Sequence, residues 1–212
     1  VKILGLISGG IDSAVVAAIV LESKSNELLA VHFCTGNLEN SPSVKKTKEI
    51  LKMLAKKYQK EIKLYIVPHS NALSEISRNC NRKYICILCR RMMLRIAEKI
   101  AKKEKAEALL TGESIGQVAS QTLSNMNAEH SAAKIQIIRP LLSMDKLEIE
   151  KLAREFETFE ISILPGMCCT VPNKPATRAN PEQIENEESK IDVKTISNDA
   201  LKNATIEKIP KN

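Results

Sequence analysis

The sequence predicts an α/β fold, a doubly wound parallel sheet of about five strands with helices on both faces. Three observations carry this expectation. Short apolar runs alternate with longer helical stretches, as strand–helix–strand units do. The first run stops at a Ser-Gly-Gly turn that leads straight into an alanine-rich helix. The unusual residue clusters all follow the ends of apolar runs, where open parallel sheets bind their ligands.

Taken in order, Val1–Ile7 is a short apolar run closed by glycine, the pattern of a buried strand. Residues 11–22 (IDSAVVAAIVLE) form the first helix, and Leu28–Phe33 the second strand. A polar loop with Gly36, Asn37 and Pro42 leads to a long basic helix over about 43–58. Ile62–Val67 is the third strand, stopped by Pro68, which has no amide to donate. Residues 84–104 make a helix that starts near Cys86 and Cys89. Ala106–Leu110 is the fourth strand; it ends in Thr111-Gly112-Glu113-Ser114, where Ser114 or a neighbour caps another helix. Lys134–Ile138 is the fifth strand, halted by Arg139-Pro140. A helix over about 145–156, a Pro-rich cysteine loop over 165–181 and a polar, weakly structured tail complete the chain. No internal repeat and no low-complexity tract interrupts this order.

Composition narrows the class. A chain of 212 residues suits one large domain with its own core. Apolar residues at 43% and charged residues at 27% are ordinary for a soluble globular protein. No apolar run approaches the roughly 20 residues a membrane span needs, and the first residues do not form a signal peptide. The expected compartment is cytoplasmic, without membrane partners. The formal charge of +7 is uneven. Residues 43–63 carry eight lysines against Glu49 and Glu61; residues 78–105 carry ten basic residues against Glu98 and Glu104. Such stretches bind phosphate backbones through counterion release, or are simply solvated helix faces. Aromatic residues at 3% exclude a base-stacking platform, so any RNA contact is to backbone or to a single base in a pocket.

The strongest motif is Ser8-Gly9-Gly10-Ile11-Asp12-Ser13, between the first strand and its helix. Two glycines let backbone approach an anion, and the helix amides supply donors and positive potential. Ser8 and Ser13 add hydroxyls, and Asp12 can hold a magnesium ion on the phosphates of ATP. A Walker lysine and the dinucleotide G-x-G-x-x-G are both missing, which sets aside those two nucleotide folds. A plain helix-capping turn does not require all of these residues together.

This segment resembles the PP-loop ATP pyrophosphatases, whose signature is SGGxDS after the first strand. Further blocks are Val31-His32-Phe33, CILCRRMMLRIAEKIA (86–101), LLTGESIGQVASQTLSNM (109–126), IRPLLSMDKLEI (138–149) and EISILPGMCCTVPNKPATR (160–178). Together they resemble the catalytic domain of the ThiI family, the tRNA sulfurtransferases that make 4-thiouridine, at position 8 of tRNA. The resemblance implies ATP cleavage between α- and β-phosphates, with tRNA and a sulfur donor as partners and a possible homodimer. It places Leu6, Ile7, His32 and Phe33 around the adenosine and brings Arg90, Gly112 and Gln121 to ATP. Asp12 and Lys146 would serve catalysis. Lys146 also follows Asp145 at a helix start, where a surface salt bridge is the simpler reading, and a histidine such as His32 more often belongs to a core or sheet edge.

The cysteines leave three readings open. Cys86 and Cys89 stand at i and i+3, one helix face. The resemblance places a sulfur-carrying cysteine in the 165–175 loop, and register against Pro175 favours Cys168 over Cys169. Cys86, Cys89 and Cys168 would then supply three thiolates for a [4Fe–4S] cluster with one open iron, as in archaeal-type relatives. Structural zinc and buried thiols are the alternatives. Ala14 replaces a proline common in the family. The expected organisation is a catalytic domain over 1–178 and a polar tail over 179–212, with THUMP and rhodanese domains absent, so that a separate THUMP-type protein would help to hold tRNA. Another PP-loop ligase, of amidotransferase type, and a non-catalytic nucleotide- or cluster-binding module are the competing functions.

Overall fold

The computed structural model describes all residues except 39, 117–120 and 166–173. Five strands run parallel: β1 (Lys2–Leu6), β2 (Glu27–Cys34), β3 (Ile62–Pro68), β4 (Ala108–Leu110) and β5 (Gln136–Ile138). A sixth, β6 (Thr205–Ile209), pairs antiparallel with β3, giving the order β5-β4-β1-β2-β3-β6. The parallel strands are the five expected from the sequence, the fourth and fifth shortened at their N-terminal ends.

Strand side chains alternate between two buried layers, which is why the sequence shows continuous apolar runs. Ile3, Leu28, Ala30, Leu64 and Ile66 enter one core; Leu4, Leu29, Val31, Tyr65 and Val67 enter the other. The first core is covered by α1 (Ile11–Glu22), α2 (Pro42–Tyr58), α6 (Lys146–Glu155) and the short α7 (Phe159–Ser162). The second lies under α3 (Ser70–Asn79), α4 (Ile85–Glu104), α5 (Leu123–His130), α8 (Pro181–Glu188) and α9 (Val193–Lys202). Helix α1 is buried along most of its length, from Ser13 to Ala18 and again at Val20 and Leu21, which its small residues permit against the sheet.

Two expectations need correction, and one helix was not foreseen. The tail is not weakly structured: it supplies α8, α9 and β6. Its apolar residues are sparse but aligned, so Ile184, Ile196, Ala200 and Ile209 are all buried. Among the described residues Ser114 caps no helix; α5 starts at Leu123, where the Thr122 hydroxyl accepts from the Asn125 amide. Helix α3, rich in Ser and Asn, escaped the sequence reading because only Ala72 and Ile76 of its residues are buried. Among the described residues, no helix is long and apolar enough to cross a membrane.

Candidate nucleotide site at the switch point

Sheet order reverses at β1, which has β2 on one side and β4 on the other. The crevice outside the carboxyl ends of β1 and β4 is therefore the expected binding place. Both special segments, residues 8–13 and 111–116, leave the sheet there.

The first loop is closed by its own hydroxyls. Ser13 Oγ donates to the Gly10 carbonyl (2.9 Å) and lies 3.1 Å from Ser8 Oγ, and the Gly10 amide donates to Ser8 Oγ (3.2 Å). Gly9 has φ +83°, a conformation that costs other residues dearly. Gly10 stands at the N-cap of α1 without a side-chain cap, so the first helical turn keeps its amides for another acceptor. Asp12 sits in that turn, half-buried, and burial moves its pKa upward.

Beneath the loop lies His32. Its Nδ1 is 2.8 Å from the Ile7 carbonyl and its Nε2 is 3.1 Å from Ser43 Oγ, which in turn is 2.8 Å from Ser41 Oγ. Burial lowers the pKa of His32, leaving the ring neutral at pH 7: Nδ1–H donates to the carbonyl and Nε2 accepts from Ser43. His32 and Ile7 are 2% and 1% exposed, so their side chains brace the loop from inside the core. Leu6 and Phe33 are only partly buried against the second core, and Phe33 packs edge-on to His69 with ring centroids 5.3 Å apart.

The second loop meets the first at Gly112. A β-carbon there would lie 2.7 Å from the carbonyl carbon and 2.8 Å from the carbonyl oxygen of Asp12, and 2.9 Å from the Ser13 nitrogen. Backbone cannot yield as a flexible side chain can, so only glycine allows this approach. Next to it, Arg90 of α4 contacts Glu113, whose other oxygen accepts from Arg139 Nε (2.7 Å) and Thr111 Oγ1 (2.8 Å). Glu129 lies 3.8 Å from Arg90. Burial works against ionisation of Glu113, but Arg90 and Arg139 outweigh it and hold its carboxyl below the usual range. For Glu129 burial wins and the pKa is pushed well up. Two guanidinium groups then face two carboxyl groups, Glu113 held toward its ionised form by the arginines and Glu129 pushed toward its neutral form by burial. Buried atoms without a hydrogen-bond partner collect here: Ser114 Oγ, Gln121 Oε1, Glu129 Oε1 and Arg139 Nη2. Such orphans fit a place that receives a polar ligand.

The structure thus brings the 8–13 loop and Gly112 into contact and sets Arg90 beside the same segment. Lys146 stands apart, exposed at the start of α6 and 3.6 Å from Glu150; a capping box of Asp145 and Glu148 fixes that helix end. Sequence reading missed Glu113, the shared partner of Arg90 and Arg139. Its signal was present, since charged residues at the ends of buried parallel strands need a counter-charge. The magnesium expected with ATP finds a matching donor in Asp12, whose buried-side carboxylate lacks a cationic side chain among the described residues.

Cys86 and Cys89 lie in the first turn of α4, with Cys89 buried and its sulfur 3.2 Å from His69 Nε2. Two sulfurs on one helix face fit two ligands of a cluster. Among the described residues, no group of three His, Cys, Asp or Glu side chains is placed to hold a metal. Cys168 lies outside the described residues.

The basic stretches also change character. Arg91 is fully buried and pairs with Glu188 of α8 (2.7 Å), which also binds Arg95 (2.6 Å). Lys99 donates to Ser197 and Asn198 of α9. Within 43–63, Lys48, Lys57 and Lys63 pair with Glu207, Glu157 and Glu104. Much of the expected RNA-facing charge is therefore internal structure, whereas Lys45, Lys52, Lys56, Lys103 and Lys105 are exposed.

Comparison with known proteins gives the family. The family model described as "Thiamine biosynthesis protein (ThiI)" matches residues 1–193. A "Probable tRNA sulfurtransferase" of Brevibacillus brevis is 38% identical over 211 residues, covering 98% of this chain and 52% of that protein. One of the same name from Alkaliphilus oremlandii is 40% identical, covering 98% of this chain and 53% of its own length. The chain spans about half the length of these curated relatives. A crystal structure of a 4-thiouridine synthetase–RNA complex with bound ATP superposes with a TM-score of 0.92 at 37% identity, covering 98% of this chain and 55% of that one. The NH3-dependent NAD synthetase of Campylobacter jejuni, at 18% identity and a TM-score of 0.50, shares the fold alone. A matching fold, relatives near 40% identity and a family model over residues 1–193 lead to one conclusion: the chain belongs to the ThiI family.

Proposed function

We propose that this chain is the catalytic part of an ATP-dependent tRNA sulfurtransferase that converts a uridine to 4-thiouridine. The observation that carries the proposal is the close approach of Gly112 to the Asp12–Ser13 backbone, which joins an uncapped helix N-terminus to the Arg90–Glu113–Arg139 cluster. ATP would lie across this junction, its phosphates on residues 8–13 and Mg2+ held by Asp12 and phosphate oxygens. Leu6, Phe33, Arg90 and Gln121 would border the nucleotide. The uridine C4 oxygen attacks the α-phosphorus, and the bond to pyrophosphate breaks. A sulfur nucleophile then adds at C4, and the C4–O bond breaks as AMP leaves with the oxygen. Where the nucleophile is a persulfide on Cys168, a second thiol cleaves its S–S bond, leaving a disulfide and 4-thiouridine. Lys146, exposed and cationic, suits a contact with the negative tRNA–AMP intermediate.

Nucleoside analysis of tRNA incubated with the protein, ATP, Mg2+ and sulfide tests this. 4-Thiouridine together with equimolar pyrophosphate supports it; pyrophosphate without thiolated nucleoside points to another PP-loop ligase, and neither product sinks it. The [4Fe–4S] reading rests on the Cys86–Cys89 face with Cys168 as third ligand. Anaerobic reconstitution should give a brown protein that Cys86→Ala or Cys89→Ala bleaches, whereas stoichiometric zinc without iron overturns the cluster. Since the chain spans only half of its relatives, tRNA binding by this part alone should be weak and steeply salt-dependent. A supplied THUMP-type protein should strengthen it.

A further inference from the structure

Lys46 is set over the phosphate loop. A β-carbon on Gly9 would lie 3.3 Å from Lys46 Cε and 2.9 Å from Thr47 Oγ1, so the second turn of α2 covers this glycine closely. The Lys46 ammonium donates to two carbonyls at the end of α7, Ser162 (3.2 Å) and Leu164 (2.8 Å). Among the described residues no carboxylate pairs with it, although neighbouring Lys48 and Lys57 of the same helix each have one. A cation held only by neutral dipoles retains its full attraction for an anion, and the nearest built anion site is the loop itself. Burial lowers its pKa, consistent with a charge that lacks a counter-ion.

We propose that Lys46 is a phosphate-binding residue of this site, which turns from the Ser162 and Leu164 carbonyls to the β- and γ-phosphates of ATP and steadies the departing pyrophosphate. It would supply, from the helix after β2, the cation that a Walker lysine supplies from the phosphate loop of other nucleotide folds. The proposal rests on the ATP reading above. It predicts a selectivity effect, because AMP lacks the phosphates that Lys46 would meet.

Binding of ATP and of AMP to the full chain, measured by calorimetry with Mg2+, tests it on wild type, Lys46→Met and Lys46→Arg. Loss of one charge-assisted contact should weaken ATP binding of Lys46→Met about ten-fold or more. AMP binding should change less than about two-fold, and Lys46→Arg should recover most of the loss. Thermal melting of each variant reports the tether to α7 separately. Equal weakening of ATP and AMP, or unchanged ATP binding in Lys46→Met, overturns the role of Lys46 while the nucleotide site stands. Failure of wild type to bind ATP overturns the nucleotide reading itself.

Discussion

Where α8 and α9 lie on α4, Arg91, Arg95 and Lys99 each meet a partner across the interface. At the phosphate loop, Asp12 and Lys46 carry charges that no opposite side chain neutralises among the described residues. The first arrangement is finished without a ligand; the second is not. Buried charge is tolerated in a fold when its partner is built in. Where the partner is withheld, the fold loses stability and gains affinity for whatever brings the missing charge. The Arg90–Glu113–Arg139–Glu129 cluster lies between these cases: Glu113 is held by both guanidinium groups, while Glu129 Oε1 and Arg139 Nη2 have no hydrogen-bond partner among the described residues.

The largest test of this contrast is Glu188→Ala, which strands the fully buried Arg91. Breaking one side of a buried pair costs about 3–5 kcal/mol. Chemical denaturation should show that loss, while ATP affinity of the folded fraction stays near wild type. A change below about 1 kcal/mol would mean that water or a neighbour replaces Glu188.

At the loop the signs reverse. Asp12→Asn should slow pyrophosphate release by about 100- to 1,000-fold, the scale of a lost electrostatic contact to reacting groups. Its melting temperature at pH 7 should nevertheless equal or exceed wild type, because the raised pKa marks a carboxylate whose charge opposes folding. A destabilised but active Asp12→Asn protein would contradict both halves of the comparison.

A third test uses acid. His69 is buried beside Cys89, and burial lowers its pKa to about 4. The unfolded imidazole takes a proton near pH 6.5, whereas the folded one resists until about 4, so stability falls as pH drops through that window. The loss should approach about 3 kcal/mol at its acid end. Unfolding free energies at about pH 7, 5.5 and 4.5 measure it, and His69→Asn should flatten the slope. An unchanged slope would place the acid sensitivity elsewhere.

The smallest effect separates position from stability at α6. Asp145→Ala removes one half of the capping box and should cost about 1 kcal/mol. If Lys146 acts on the adenylated intermediate, thiolation should fall further than this loss of stability explains, because the cap sets where Lys146 begins its reach. Full thiolation by a destabilised Asp145→Ala protein would make Lys146 a surface residue paired only with Glu150.

The regularities of the chain were legible where one residue type had one physical meaning. Apolar runs with helices between them gave the parallel strands, and Ser-Gly-Gly before an alanine-rich segment marked the turn that opens α1. Glycine at positions 9 and 10 and the absence of a capping side chain are local facts, readable without a fold. The tail was misread because its polarity is an average: Ile184, Ile196 and Ala200 are few, but they fall on the side that meets α4 and its neighbours.

By itself, then, the sequence determined the order of the five parallel strands, the Ser-Gly-Gly turn after the first and the family blocks, because each depends on neighbours a few residues away. Only the tertiary structure decided which charges are spent inside the molecule, since Arg91 meets Glu188 across 97 positions and Lys46 meets Leu164 across 118. It also decided why Gly112 must be glycine, through the Asp12 backbone pressed against it from another strand's loop. Periodicity records which face of a segment is buried. Which segment lies against that face depends on how the sheet is wound, and that winding set the partners of Arg91, Lys46 and Gly112.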